Sequence, residues 1–184
     1  LVASGDGDGY SIGGNHFLHA CRRNVDLTYI VMDNHVYGMT KGQASPTTEP
    51  DWDNKLSPGG PGIRAFHPLV IALASGANFV ARAFAGDQNG TADMIAQAVR
   101  HPGFSFIEIL SPCVTFRPEQ REWKDKVHPA TVAPTDDPAR AARRIMTDDG
   151  FNIGVLYAGD RAPYRNGPKP ARNTIAELEQ EFAV

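Results

Sequence analysis

The sequence predicts an α/β domain on a mainly parallel sheet with helices on both faces. Three observations carry this. Short apolar runs rich in β-branched and aromatic residues recur at Leu27–Asp33, Asn78–Phe84 and Phe104–Leu110, as in strands buried on both faces. Stretches with apolar residues at helical spacing lie between them. Strand and helix alternate, the order of βαβ units with right-handed crossovers.

Each element has its own signal. Leu1–Ser4 reads as the end of a strand, and the chain opens without Met. The expectation is therefore the C-terminal part of a longer polypeptide. Ser11–Arg23 places Phe17, Ala20 and Cys21 at i, i+3, i+4 and predicts a helix with one buried face. Asn34–Pro50 is a polar loop, and Asp51–Arg64 is rich in Gly and Pro and irregular. His67–Ser75 predicts a helix ending at Gly76. Thr91 is the expected N-cap of the next, with Ile95, Ala98 and Val99 on one face and an end before Pro102.

From Ser111 the character changes. Arg117–Val132 is charged, Asp137-Pro138 predicts an N-cap and first turn for a helix to Thr147, and Phe151–Tyr157 predicts an edge strand. Thr174 and Glu177 fit a capping box opening a last helix. The expected division is a domain over 1–115 and an extension over 116–184, too polar to build its own core and expected to reach over a neighbouring subunit. Trp52 and Trp123 are expected to serve packing or an interface.

Of 184 residues, 41% are hydrophobic and 21% charged, ordinary for a soluble globular protein. A net charge of −3 gives no reason to expect nucleic acid or an anionic membrane surface. No apolar run approaches the roughly 18 residues of a membrane helix. The two cysteines, Cys21 and Cys113, suit a reducing cytoplasm rather than a disulfide framework.

The chemistry concentrates in Gly5–His16, where a strand meets a helix. Glycines there let the backbone approach a ligand, and a helix start offers N–H groups to phosphate. Yet Asp6 and Asp8 lie in the same stretch. A carboxylate about 4 Å from a phosphate charge costs about 4 kcal/mol at an effective dielectric of 20. A divalent cation between them removes the conflict, and Mg²⁺ prefers such oxygen ligands. The crossover helix runs about 20 Å down and the strand about 23 Å back. Asp6 and Asn34 thus meet at the carboxyl edge of the sheet, where open α/β sheets bind ligands.

Two other glycine motifs fail. A dinucleotide fingerprint needs Gly where Tyr10 or Ile12 stands, and a calcium loop from Asp6 would place Tyr10 and Phe17 at ligand positions.

Gly5-Asp6-Gly7 with the later Asp33-Asn34 resembles the thiamine diphosphate motif. More narrowly, Gly5–His16, Asn34–Thr48 and Ser111–Phe116 resemble the β subunit of 2-oxoacid:ferredoxin oxidoreductases, above all the 2-oxoglutarate type. The likeness covers residues 1 to about 120. It implies a thiamine diphosphate-binding fold, with Mg²⁺ held by Asp6, Asn34 and the Val36 carbonyl. Gly5, Gly7, Asp8, Tyr37 and Gly38 would complete the cofactor contacts. Cys113 takes the place of one ligand of a [4Fe–4S] cluster, the other three lying outside this sequence; Cys21 matches no ligand position. The implied reaction is oxidative decarboxylation of a 2-oxoacid to an acyl-coenzyme A, with electrons passing through the cluster to ferredoxin. An α subunit is the implied partner in a hetero-oligomer.

Lys41, on the loop after Asn34, is expected to meet a substrate carboxylate. His16 is expected to touch cofactor or substrate, with helix capping as the alternative. The competing functions are a thiamine enzyme that transfers no electrons, such as a decarboxylase or synthase, and a non-catalytic metal- or diphosphate-binding module.

Overall fold

Strands β1 (Val2–Gly5), β2 (Leu27–Asp33), β4 (Phe104–Leu110) and β3 (Phe79–Phe84) lie side by side and parallel in a six-stranded sheet of order β1-β2-β4-β3-β6-β5. The computed structural model describes residues 1–165 and 174–182. Every residue of β3 and β4 is buried, which explains their unbroken apolar character. The bounds of β2 and β4 are those the sequence predicts.

Helices cover both faces. On one, α2 (Gly14–Arg23), α3 (Pro68–Ala74) and α6 (Pro138–Thr147) set Phe17, Leu69, Ala72 and Ile145 against Val31, Val80, Phe104 and Phe106. On the other, α4 (Gln88–Arg100) sets Met94, Ile95 and Ala98 against Ile30, Ala81, Ile107 and Ile109. Val99, expected on that face, is exposed. α4 also starts before Thr91. Asp87 caps it by accepting the Gly90 N–H, while the Thr91 hydroxyl donates to the Phe84 carbonyl.

The glycine stretch departs from expectation in an informative way. It is not a loop leading to a helix at Ser11; a short helix, α1 (Asp6–Tyr10), forms within it. The Asp8 carboxylate accepts the Gly5 N–H at 2.8 Å and caps the helix start. The chain breaks over 11–13 and resumes as α2. The break needs Gly13, whose N–H donates to the Asp8 carbonyl and where a Cβ would lie 2.6 Å from that oxygen. Tyr10 stacks on Phe66 at 5.3 Å and Phe17 meets Phe106 at 4.8 Å, pinning both helices to the sheet.

The expected boundary after residue 115 is not a break in the packing. β6 (Asn152–Ala158) runs antiparallel beside β3, and β5 (His128–Pro129) pairs with its outer side. β6 is therefore not the edge, and the antiparallel pair makes the sheet mixed. Asp137 caps α6 as predicted, accepting from Ala139 and Arg140 N–H. Ala141, Ile145 and Tyr157 join the core. Arginines around that small apolar stripe made the segment look coreless in sequence. Thr174 and Glu177 form the predicted capping box of α7 (Ile175–Phe182).

The segment after β6 is tied to the amino edge of the sheet. The Arg161 guanidinium donates to the carbonyls of Cys21, Arg22 and Gly76. The Asn24 amide donates to the carbonyls of Arg161 and Ala162 and accepts the Phe104 N–H. Arg161 thus satisfies carbonyls left at the ends of α2 and α3. Arg161→Ala is expected to cost about 1–2 kcal/mol, read as a lower urea midpoint at unchanged slope. A slope change instead would mean that Arg161 acts on the unfolded chain.

Candidate functional site

β1 and β2 pair in register up to Gly5 beside Met32, so Asp6 and Asn34 leave the same edge of the sheet. All eight residues expected to contact a cofactor (Gly5, Asp6, Gly7, Asp8, Asn34, Val36, Tyr37 and Gly38) line one open cavity of about 450 Å³. Gly7 is needed for its shape. A Cβ there would lie 2.3 Å from the Tyr37 ring, whose hydroxyl donates to the Gly7 carbonyl.

Hydrogen bonds decide which oxygens remain free. Asp6 is 3% exposed. Its Oδ2 accepts from the Ser45 and Thr47 hydroxyls, which leaves Oδ1 without a donor among the described residues. The Asn34 Oδ1 accepts only the Val36 N–H, at 3.1 Å. His35, between them, has φ of 57°, uncommon for a residue with a Cβ. Its carbonyl is held by the Thr48 hydroxyl and the Arg117 guanidinium. That turn leaves the Val36 carbonyl without a donor among the described residues. Three hard oxygen donors on one cavity form a set that suits Mg²⁺, which keeps water or phosphate oxygens in its other positions.

Beneath this rim is a buried polar layer that sequence reasoning missed. Asp33 is fully buried; its Oδ1 accepts from Thr47 and from the His35 N–H, while Oδ2 has no partner among the described residues. Burial pushes its pKa up to about 7, with the nearby Glu108 and Asp6 charges adding to the rise and His35 opposing it. Burial works against charge on Glu49 too, but hydrogen bonds from His35 and Arg117 outweigh it and bring its pKa down to about 2. The signal for the layer was the cluster of small hydroxyl residues at Ser45, Thr47 and Thr48. No local pattern assigns such residues to a particular carboxylate.

The remaining expected residues are placed unequally. Lys41 is exposed, one residue beyond Thr40 on the cavity rim, with φ of 67°. His16 lines a second cavity, along the edge of β1 with Ala20 and Leu27, and Asp8 borders both this cavity and the one that holds Asp6. Cys113 is half-buried, with its sulfur 3.9 Å from where a Gly38 Cβ would stand, beside the cavity wall. No group of three or more His, Cys, Asp or Glu among the described residues could hold a metal, so any cluster would take its other ligands from elsewhere. Cys21 is fully buried, and burial pushes its thiol up to about 12, which makes it inert. Trp52 lies 4.5 Å under the Arg117 guanidinium, and Trp123 packs with Phe84 and Leu110.

Comparison with known proteins bears on the same residues. Residues 1–109 match the family described as thiamine pyrophosphate enzyme, C-terminal TPP binding domain. The chain is 47% identical over 115 residues to the 2-oxoglutarate synthase subunit KorB of Archaeoglobus fulgidus, covering 62% of this chain and 43% of that one. It is 41% identical over 169 residues to the 2-oxoacid:ferredoxin oxidoreductase subunit beta of Saccharolobus solfataricus, covering 89% and 55%. Its fold matches a 2-oxoglutarate:ferredoxin oxidoreductase from Magnetococcus marinus, solved with 2-oxoglutarate, coenzyme A and succinyl-CoA bound. There the TM-score is 0.79 at 36% identity, covering 96% of this chain and 60% of that one. The chain spans about half the length of the curated relatives it matches.

Proposed function

Because this chain belongs to the family of thiamine pyrophosphate enzymes with a C-terminal TPP-binding domain, we propose that it acts as the β subunit of a 2-oxoacid:ferredoxin oxidoreductase with 2-oxoglutarate as substrate. One observation carries the reading. Asp6, Asn34 and Val36 line one cavity, the Asp6 Oδ1 and Val36 carbonyl accepting no hydrogen bond among the described residues and the Asn34 Oδ1 only one, and the Cys113 sulfur stands beside that cavity's wall at Gly38. A cysteine at that place supports the electron-transferring reading over a thiamine enzyme that transfers no electrons.

In this proposal Asp6, Asn34 and the Val36 carbonyl hold Mg²⁺, and the backbone around Gly7 and Asp8 faces the diphosphate. Bound thiamine diphosphate supplies the electron sink for decarboxylation. Cys113 contributes one thiolate to a [4Fe–4S] cluster, which needs four ligands. An α subunit supplies the rest of the site, coenzyme A takes the acyl group, and ferredoxin takes the electrons. α7, with Ile175 exposed, is the part of the expected arm proposed to meet a neighbouring subunit. No helix among the described residues is long and apolar enough to cross a membrane.

Lys41 is proposed to pair with the distal carboxylate of the substrate. Lys41→Ala is then expected to raise the KM for 2-oxoglutarate about tenfold, the loss of one charge-assisted contact, while leaving activity on a 2-oxoacid without that carboxylate unchanged. Equal effects on both substrates would exclude this role. The function itself is tested on the full-length protein with its partner subunit. Iron content near four per β chain and coenzyme A-dependent reduction of ferredoxin by 2-oxoglutarate are expected. Carbon dioxide release by an iron-free protein would select the non-redox decarboxylase instead.

A further inference from the structure

The ladder between β2 and β4 ends where the Ser111 N–H donates to the Asp33 carbonyl at 2.8 Å. Beyond that the two chains separate, one toward Asn34 and the other toward Cys113. The Gln120 side chain, 1% exposed, fills the gap. Its Nε2–H donates to the Asn34 carbonyl and its Oε1 accepts the Cys113 N–H, each at 2.8 Å. A side-chain amide has the donor and acceptor of a peptide group, so Gln120 stands in for the next rung of the sheet.

The support of Gln120 is itself fixed. It sits on a 3₁₀ turn, Pro118–Glu122. Its N–H donates to the Arg117 carbonyl, and the Arg117 N–H donates to the Cys113 carbonyl. The Arg117 guanidinium pairs with Glu49 at 2.7 Å and Glu119 at 2.8 Å. Both backbone groups of Cys113 are therefore engaged, and its N–H is not available to a cluster sulfur.

We propose that Gln120 is a positioning residue that locks the turn bearing Asn34 to the backbone of Cys113, and so sets the separation of the diphosphate site from the iron–sulfur site. The proposal rests on the function proposed above. Groups one step removed from a metal ligand change metal affinity by about 10–100-fold. Hydrogen bonds to cluster sulfurs set reduction potential, so freeing the Cys113 N–H would shift it.

The test uses the holoenzyme and two variants. Gln120→Met keeps the volume and removes both hydrogen bonds. It is expected to weaken Mg²⁺–thiamine diphosphate binding about tenfold and to shift the electron paramagnetic resonance spectrum and potential of the reduced cluster. Gln120→Glu, held neutral by its burial, keeps one donor for Asn34 and one acceptor for Cys113. It is the conservative variant and should retain cofactor affinity and cluster spectrum close to wild type. Wild-type affinity and spectrum in Gln120→Met would overturn the proposal, as would a cluster change in Gln120→Glu as large as in Gln120→Met. A wild-type protein that binds thiamine diphosphate but no iron would overturn the function on which the proposal rests, and is told apart by the iron assay alone.

Discussion

Asp6→Asn is expected to weaken Mg²⁺-dependent binding of thiamine diphosphate by at least 100-fold, about 2.7 kcal/mol. The substitution keeps the size of the side chain and removes its charge. Asp6 Oδ2 is already committed to Ser45 and Thr47, so Oδ1 is the oxygen left for a cation. Loss of a direct ligand should cost at least as much as the upper end seen for groups one step removed. Asp8→Asn is the control. Asp8 lines the same cavity, but its Oδ1 accepts the Gly5 N–H, and an Asn amide oxygen can accept that same N–H. It should change binding by no more than about threefold, under 1 kcal/mol. Titration of the holoprotein stripped of cofactor, followed by tryptophan fluorescence, reads both. If Asp8→Asn proved the more damaging, the choice of ligand would be wrong.

Arg82→Met should destabilise the fold by about 3–5 kcal/mol, the cost of leaving one member of a buried ion pair alone. Arg82 and Glu108 stand on neighbouring central strands, are 7% and 4% exposed, and pair at 2.7 Å, with Asp148 a second partner at 3.4 Å. Without the guanidinium, Glu108 is left as a buried carboxylate beside Asp33 with no cation against it. Urea unfolding reads the deficit. Adding Glu108→Leu should recover most of the loss, since replacing both partners removes the isolated charge. A double variant no more stable than Arg82→Met would mean that Arg82 contributes packing and not charge balance.

The strands were legible because their evidence is local. Leu27–Asp33 and Phe104–Leu110 declare themselves as short apolar runs between turn residues, and β2 and β4 occupy those bounds. Their adjacency and the length of one crossover suffice to bring Asp6 and Asn34 to one edge. The α1 helix was not legible, because Gly5, Gly7 and Gly9 signal a turn and nothing local in the sequence shows that the Asp8 carboxylate folds back to accept the Gly5 N–H. Nor was the placement of His16, which depends on how the chain breaks at Gly13.

By itself, then, the sequence determined the strand–helix alternation and the edge at which a diphosphate and its cation would sit, since both follow from periodicity and chain geometry, while the wider set of residues expected at that edge came from the family resemblance. Only the tertiary structure decided which Asp6 oxygen stays free, that α6 and β6 belong to the same core, and that Gln120 joins Asn34 to Cys113. Those depend on contacts between residues far apart in the chain. A hydroxyl or amide side chain carries no mark of which distant partner will satisfy it until packing removes water from both.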